Sequence, residues 1–306
     1  MRLPRQRNVQ PVLSALRVAK LSAARAMGVS QPALTKAIRE LERELAASLL
    51  VRSNTGVTPT AQGRVLFEHA RSADRTLLAA VEQIRQLSGE MVGELSIDAV
   101  PLAVMLLIPE ALRTFGRAFP SVRLRVNEQL YIEQLSRLRK GEVDVAIGPV
   151  PAGLPSGELV IEPLMPISMV VVAAKGSPLA RARSLAELSD ARWVFTGTSA
   201  EQGYARHLFE QNGLVAPPAA ALVNSTLSLL ALISGGEYVG LMPQPIAIHP
   251  LAGHFLVTVP VREKPLIATL AAMSRPQNAV SPVVRHFVAH LGRAAHHLGN
   301  GNAATG

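Results

Sequence analysis

Four polar side chains follow one another near the start of a predicted helix, at spacings that suit contact with a nucleic acid. The stretch reads VSQPALTKAIRELEREL from Val29 onwards. Gln31 can pair bidentately with an adenine edge, and Thr35 can reach a base or offer its methyl group to thymine. Lys36 and Arg39 suit phosphates rather than bases. The alternative interpretation is a solvated helix face without a partner.

The elements around these residues predict a helix-turn-helix. The segment 21–27 (LSAARAM) is rich in alanine and helical by propensity, and Gly28 ends it because glycine accepts the left-handed conformation. Ser30 is a candidate N-cap for the second helix, and Pro32 lies in its first turn, where a missing N–H costs little. In this motif the start of the second helix enters the major groove, and a helix N-terminus also attracts phosphate.

Two short extended pieces follow the second helix. The segment LLVRSNTGVTPT (49–60) contains the turn signal Asn54-Thr55-Gly56 between two apolar stretches. We interpret it as a wing that brings Arg52 close to the DNA backbone or the minor groove.

The charge of the chain is concentrated in its first third. Residues 1–90 carry 14 Lys and Arg against 7 Asp and Glu, which gives +7, and the remainder carries 17 against 15, which gives +2. A basic module attached to a nearly neutral body favours a polyanion-binding head. A basic solubilising surface is the alternative.

The segment 29–63 resembles the winged helix-turn-helix of LysR-type transcriptional regulators. The matching pieces are AAxxxGVSQPALxxxIxxLExxL and LLVRxxxGVxxTxxG. The chain departs from the family pattern before residue 21, where a Gly-Ser pair is missing and the segment is about four residues short. The resemblance implies that double-stranded DNA is a partner, with Ser30, Gln31, Pro32, Thr35, Lys36, Arg39 and Arg52 at the interface.

A long amphipathic helix is predicted to connect the head to the body. Thr60 can cap a helix that starts near Ala61. Apolar residues then recur at intervals of three and four residues up to Leu87, and Ser88-Gly89 ends the helix. A helix of roughly 27 residues spans about 40 Å. The resemblance implies that two such helices pair antiparallel in a homodimer, and since members of the family usually assemble further, the assembly is a homodimer or a homotetramer. Packing of the apolar seam against the chain's own body is the alternative.

The body alternates strand-like and helix-like segments, which predicts an α/β fold. Its longest predicted helix is 102–119, a buried strand is expected at 168–174, and the last helix at 282–298. Proline-rich joints at 161–166 and 261–266 divide it into two lobes. The resemblance implies a two-lobed effector domain of the type 2 periplasmic-binding-protein fold. The predicted domains are the head 1–60, the linker helix 61–90, the body 91–299 with lobe I (91–163 and 265–299) and lobe II (164–264), and a disordered tail 300–306.

Ligands of open α/β sheets bind beyond the carboxyl ends of the strands. By resemblance, the loops at these ends face a cleft between the lobes that holds a small organic effector. The stretch Ala99-Val100-Pro101-Leu102 lacks a hydroxyl group, which favours an effector with an apolar body, such as an aromatic acid. The candidate effector-binding residues are Val100, Pro101, Leu102, Glu128, Tyr131, Gly148, Thr196, Ser199, Ser225, Thr226 and Pro243.

Motifs for enzymatic chemistry are missing from the sequence. There is no GxSxG, P-loop, GxGxxG or HExxH motif, and no cysteine. His286 and His290 have metal-ligand spacing but no third ligand nearby, so a solvated helix face is the favoured interpretation. We expect no cofactor, no metal, no catalytic residues and no membrane association, and a cytoplasmic location. A small-molecule-binding α/β protein or enzyme with a degenerate helix-turn-helix head is the alternative.

Overall fold

The computed structural model describes residues 30–53, 56–150, 153–197 and 203–303. The chain divides into two compact units, residues 1–82 and 83–306. The predicted first helix at 21–27 and the turn residues Asn54 and Thr55 lie outside the described residues.

The described residues of the first unit form one helix, a two-stranded hairpin and most of a long helix. Strands β1 and β2 are antiparallel, with Val51 opposite Thr58, which confirms the two extended pieces expected from the sequence. The long helix has the 27 residues that the apolar periodicity predicts, and its last turn belongs to the second unit. These elements are α1 (Gln31–Leu45), β1 (Leu50–Ser53), β2 (Gly56–Pro59) and α2 (Ala61–Leu87).

The second unit alternates strands and helices. Its strands are β3 (Gly93–Ala99), β4 (Val122–Glu128), β5 (Val145–Pro149), β6 (Val160–Ala174), β7 (Arg192–Thr196), β8 (Ala219–Val223), β9 (Tyr238–Pro243), β10 (Leu256–Thr258) and β11 (Leu266–Ser274). Its α-helices are α3 (Pro101–Leu106), α4 (Ile108–Ala118), α5 (Tyr131–Arg139), α6 (Tyr204–Gln211), α7 (Thr226–Ser234), α8 (Gln244–Ala247), α9 (Pro250–Gly253), α10 (Pro276–Ala279) and α11 (Pro282–Ala303). Short 3₁₀ turns span Pro178–Arg181 and Ala186–Leu188.

The strands form two parallel groups that are joined by two long antiparallel strands. The order is β4-β3-β5-β11-β6-β9-β7-β8, with β10 on β6. Strand β3 is parallel to β4 and β5, and β7 is parallel to β8 and β9. Strands β6 and β11 pair antiparallel, with Val160 opposite Ser274 at one end and Met169 opposite Leu266 at the other. The chain therefore crosses twice between the two groups. This is the predicted two-lobed α/β architecture, with the carboxyl ends of both parallel groups available to line a cleft.

The structure corrects three details of the sequence interpretation. The helix expected at 102–119 is two helices that break at Leu107, because Pro109 in the first turn of α4 cannot continue the preceding hydrogen-bond ladder. The joint at 161–166 lies inside strand β6, where its pairing with β11 shifts register next to Pro163. Helix α11 continues to Ala303, so residues 300–303 of the predicted disordered tail are helical.

The last turn of α2 is fastened to the body by buried polar groups. Ser281 donates its hydroxyl hydrogen to Gln86 Oε1 over 2.7 Å, and Gln86 Nε2 donates to the carbonyl of Val92 over 3.1 Å. Both side chains are buried. Because a buried polar group without a partner is costly, this pair holds the end of the helix to the segment before α11.

Candidate nucleic-acid interface and ligand cavity

Helix α1 begins as the sequence predicts. Ser30 is its N-cap and accepts a hydrogen bond from the backbone N–H of Ala33 over 3.4 Å, and Pro32 lies in the first turn. The helix ends at Leu45, and its C-cap Ala46 has a left-handed conformation with φ of 50°. Ser30 and Pro32 are both exposed, so the N-terminus of α1, which is the positive end of the helix dipole, is exposed as well.

The polar side chains of α1 share one open face. Pro32, Lys36 and Arg39 are exposed, and Thr35 is half-buried beside them. The same face contains Arg43, which the sequence interpretation missed although it follows Arg39 by one helical turn. Of Gln31 and Arg52 the structure describes only the backbone positions, at the start of α1 and within β1. Glu40 is the acidic residue on this face.

The acidic residue Glu42 has a structural role at the start of the wing. Its Oε1 accepts hydrogen bonds from the backbone N–H groups of Leu49 and Leu50, over 2.8 and 3.3 Å. The carboxylate thus satisfies two donors of the chain where it leaves α1 and enters β1. This contact fixes the direction of the hairpin against the helix.

The junction between the wing and α2 is a close backbone contact. Thr60 donates its N–H to the carbonyl of Leu49 over 2.9 Å and its hydroxyl hydrogen to the carbonyl of Ser48 over 2.7 Å. The Thr60 hydroxyl accepts from the N–H of Gly63 over 2.9 Å, so Thr60 caps α2 as expected. A Cβ on Gly63 would lie 2.0 Å from the Leu49 carbonyl oxygen, which explains the glycine.

An apolar row along α2 is exposed among the residues that the structure describes. Leu77 is 58 % exposed, Ile84 64 % and Leu87 68 %. The other exposed large apolar residues of the helix are Val65, Leu78 and Val81. An exposed row of this kind favours pairing with another helix.

A cavity of about 110 Å³ lies between the two strand groups of the body. Both crossing strands contribute to it, through Ile167 and Met169 of β6 and Ala268 of β11. Most of its lining is aliphatic, and Tyr204, Thr196 and Thr226 add polar groups. The predicted effector residues that line it are Val100, Pro101, Leu102, Thr196, Thr226 and Pro243.

The other predicted effector residues are not among the lining residues. Glu128 is the exposed last residue of β4, and Ser225 is the N-cap residue of α7. Tyr131 begins α5, and the structure describes only its backbone. Gly148 lies in β5 behind the wall, where a Cβ would be 2.6 Å from Gln134 Oε1. Ser199 lies outside the described residues.

Sequence reasoning missed several lining residues. The lining residues at strand or helix ends lie one to three positions from predicted residues. The lining residues of the crossing strands and of helix faces gave no local signal, because buried apolar segments share a similar composition whether or not they line a cavity. Leu130, Pro149, Gly197 and Met242 belong to the strand-end loops that were expected to face the cleft, although they were not among the candidate residues. The residues that were not foreseen are Glu133, Ile167, Met169, Tyr204, Leu229, Leu241, Ile246 and Ala268.

A charged cluster lies at the end of β3, two residues before Val100, which lines the cavity. The Asp98 carboxylate is fully buried, accepts a hydrogen bond from Asn127 Nδ2 over 3.0 Å and pairs with Arg137 over 3.2 Å. Burial raises the pKa of the Asp98 carboxyl, against the opposing effects of Asn127 and Arg137. Arg137 also pairs with Glu142 over 3.5 Å.

The two helical histidines pack against aromatic rings of α4 and its C-terminus. His290 is half-buried and its Nδ1 is 2.7 Å from the Thr114 hydroxyl, while the ring of exposed His286 lies 4.9 Å from that of Phe119. Burial is the main cause that lowers the pKa of His290. The predicted solvated face therefore holds for His286 and is wrong for His290. The described residues contain no group of three or more His, Asp or Glu side chains placed to hold a metal ion.

Comparison with known proteins identifies two family regions. Residues 21–64 match the model of the bacterial regulatory helix-turn-helix protein of the lysR family, and residues 88–296 match the model of the LysR substrate binding domain. No helix among the described residues is long and apolar enough to cross a membrane.

Curated relatives and solved structures cover most of the chain. The HTH-type transcriptional regulator TdcA of Escherichia coli K12 is 28 % identical over 255 residues, which are 82 % of this chain and 80 % of TdcA. The SDS degradation transcriptional activation protein of a Pseudomonas species is 30 % identical over 236 residues, 75 % of each chain. The crystal structure of CbnR, a LysR family transcriptional regulator, matches with a TM-score of 0.68 at 20 % identity and covers 95 % of this chain and 99 % of CbnR. CbnR in complex with its target DNA matches with a TM-score of 0.69, also at 20 % identity, and covers 95 % and 100 %.

Proposed function

The chain belongs to the LysR family of DNA-binding transcriptional regulators, and from that premise we propose specific roles for the two sites. Helix α1 reads the major groove, and the cavity of the body binds the small organic effector. The observation that carries the first role is the shared open face of Thr35, Lys36, Arg39 and Arg43 behind an exposed helix N-terminus.

The roles within this face follow from the reach of each side chain. Gln31 and Thr35 are the base-reading residues, because they lie in the first turns of α1. Lys36, Arg39 and Arg43 form a basic row along the helix that suits the phosphate backbone. Arg52, on the wing, is proposed as a further phosphate or minor-groove contact.

Two heads must act together for a symmetric DNA site to be read. The exposed apolar row of α2 supports a homodimer in which the row pairs with that of a second copy. Assembly to a tetramer stays a prediction. Ligand binding between the strand groups would change how far the two lobes close. Because the Ser281–Gln86 hydrogen bond holds the end of α2 to the body, that change would alter the spacing and angle between the two heads.

The effector itself is proposed to be small and largely apolar. The sequence favours an aromatic acid, and the aliphatic lining of the cavity supports the apolar body of such a ligand. CbnR has been solved with its target DNA, and the fold shared with that protein supports the same use of the head here.

Salt-dependent DNA binding tests the assignment of the basic row. Each lost phosphate contact should reduce the slope of log K against log salt by about 0.9. Lys36→Ala and Arg39→Ala are expected to flatten the slope on all sequences, whereas Arg117→Ala, an exposed arginine of the body, is the matched control and should leave it unchanged. An unchanged slope for both head variants would remove the row from the interface.

A further inference from the structure

Three buried polar side chains lie where α2 meets the body. Gln86 of the last turn of α2 is 6 % exposed, Asn278 of α10 is 3 % exposed and Ser281 is 5 % exposed. All three belong to the second compact unit. We call residues 275–281, which contain α10, the junction segment. Burying such side chains is costly unless their hydrogen bonds are made, and a satisfied buried network holds its surroundings rigidly.

The Gln86 amide is bonded through both of its polar atoms. Ser281 donates its hydroxyl hydrogen to Oε1 over 2.7 Å, and Nε2 donates to the carbonyl of Val92 over 3.1 Å. Ser281 is itself held, because its N–H donates to the carbonyl of Asn278 over 2.9 Å. Its hydroxyl oxygen also accepts from the N–H of Val284, at the start of α11, over 3.5 Å. Gln86 therefore joins α2 to the segments that precede β3 and α11.

The junction segment is tied in turn to the first parallel strand group. Asn278 Nδ2 donates to Asp144 Oδ1 over 3.0 Å. The other oxygen of this carboxylate accepts from the N–H of Ser96 in β3 over 2.9 Å, and Asp144 N–H donates to the Ser96 carbonyl over 2.8 Å. Asp144 directly precedes β5, so the contact reaches two neighbouring strands of the sheet. The last turn of α2, the junction segment and these strands thus form one hydrogen-bonded body.

The chain that leaves α2 is closed by its own hydrogen bonds. A glycine after a long helix suggests a flexible joint, and Gly89 has a left-handed conformation with φ of 95°. However, Gly89 N–H donates to the carbonyl of Gln86 over 3.0 Å, and Glu90 N–H donates to that of Arg85 over 3.1 Å. This pair of hydrogen bonds is the Schellman motif that ends a helix. Gly89 therefore ends α2 in a fixed turn.

The junction segment also continues a strand of the cavity wall. Ala268 of β11 lines the cavity, and β11 ends at Ser274, immediately before the junction segment. Between Leu270 and Ser274 the strand is paired on both sides, with β5 and with β6. Because rigid secondary elements carry displacements from one site to another, a shift of β11 at the cavity would move residues 275–281 as well.

We propose that Gln86 is the positioning residue that makes the last turn of α2 a rigid part of the body. Through Ser281 and Asn278 it sets the direction in which α2 continues from the body, and the loop 88–92 does not act as a joint. A change at the cavity thus reaches α2 by way of β11 and the junction segment. The inference rests on the proposed function, because the direction of α2 matters for regulation only if the helix carries a DNA-binding head.

The distance between two spin labels tests this role directly. The chain contains no cysteine, so the substitutions Glu68→Cys on α2 and Arg117→Cys on α4 introduce two defined labelling sites, both exposed in the structure. The labelled chain would be mixed with an excess of unlabelled chain, so that each assembly contains one label pair. Double electron–electron resonance then gives the distribution of the distance between the labels. We expect a single narrow distribution when Gln86 is present.

Three variants of the labelled chain separate the role of Gln86 from that of its surroundings. Gln86→Leu leaves the Ser281 hydroxyl and the Val92 carbonyl without this partner, so the distribution should broaden about twofold or more. Ser281→Ala removes a single hydrogen bond and should broaden it to a smaller extent. Gln83→Leu is the matched control, because Gln83 lies one turn earlier on α2 and its 3.4 Å hydrogen bond to the carbonyl of Gln277 is exposed, where water can replace it. It should leave the width unchanged.

An unchanged width in Gln86→Leu, together with a lower melting temperature, would show that Gln86 only stabilises the fold and would overturn the proposal. A broad distribution with Gln86 present, or an equal broadening in Gln83→Leu, would also overturn it. If Gln86→Leu is too unstable to purify, an unchanged width in Ser281→Ala decides against the proposal in the same way. Sequence-specific DNA binding by the unlabelled wild type, measured separately, reports on the regulator function and would stand in each of these cases.

Discussion

Substitution of Gly63 by alanine should destabilise the DNA-binding head, although the same change normally stabilises a helix. The Cβ would lie 2.0 Å from the Leu49 carbonyl oxygen and 3.0 Å from its carbon. Ordinary carbon–oxygen contacts are about 3.3 Å or longer. More than about 1 Å of backbone movement is therefore needed, and Leu49 is buried and hydrogen-bonded to Thr60.

The magnitude follows from two opposing effects. Alanine in place of glycine in a helix gains about 1 kcal/mol. Overpacking costs about 1–3 kcal/mol, and a weakened Thr60–Leu49 hydrogen bond adds about 1 kcal/mol. The free energy of unfolding of the head should thus fall by about 1–3 kcal/mol in Gly63→Ala.

Native-state hydrogen exchange of α1, β1 and β2 amides measures this change without interference from the body, because it reports opening element by element. Gly116→Ala is the control: Gly116 lies within α4 and a Cβ there has nothing within 4 Å. It should increase the protection of α4 by about 0.5–1 kcal/mol. Equal or greater protection of the head in Gly63→Ala would refute the proposed contact with the Leu49 carbonyl.

Three further predictions concern the head and the body. Ala46→Gly should stabilise the head by about 1 kcal/mol in the same exchange experiment, because Ala46 has φ of 50°; a loss of protection would contradict this reason. Gln31→Ala should cost about 1–3 kcal/mol in gel-shift titrations at the cognate site, and an equal loss on scrambled DNA would remove its base-reading role. Burial raises the pKa of the Asp144 carboxyl, against hydrogen bonds from Ser96 N–H and Asn278 Nδ2. The folded state therefore binds this proton more tightly than the unfolded state, so wild type should gain stability over Asp144→Asn as the pH falls from 7 towards 4 in urea titrations; a constant difference would exclude this titration.

The head was the part of the molecule most accessible to sequence reasoning. Its helix start, its cap at Ser30 and the two wing strands depend on local signals: a capping hydroxyl, a proline in the first turn and a turn between β-rich stretches. The role of Glu42 was not accessible. A carboxylate on a helix next to basic residues gives no indication that it holds the N–H groups of Leu49 and Leu50.

The cavity was accessible only at the ends of its strands. Pro101, Thr226 and Pro243 were found because parallel strands present their carboxyl ends at one edge. Ile167 and Ala268 were not, because the long strands β6 and β11 cross between the two groups, whereas the sequence had suggested joints at 161–166, inside β6, and at 261–266, at the start of β11.

The sequence by itself determined the elements, the family and the division into a basic head and a nearly neutral body, because these follow from periodicity, capping residues and charge along the chain. Only the tertiary structure decided which carboxylates meet. Asp98 comes from strand β3 and Glu142 from the loop after α5, and only the packing of the body brings both carboxylates to Arg137. Electrostatic energy depends on distance through space, and no spacing in the chain specifies that distance.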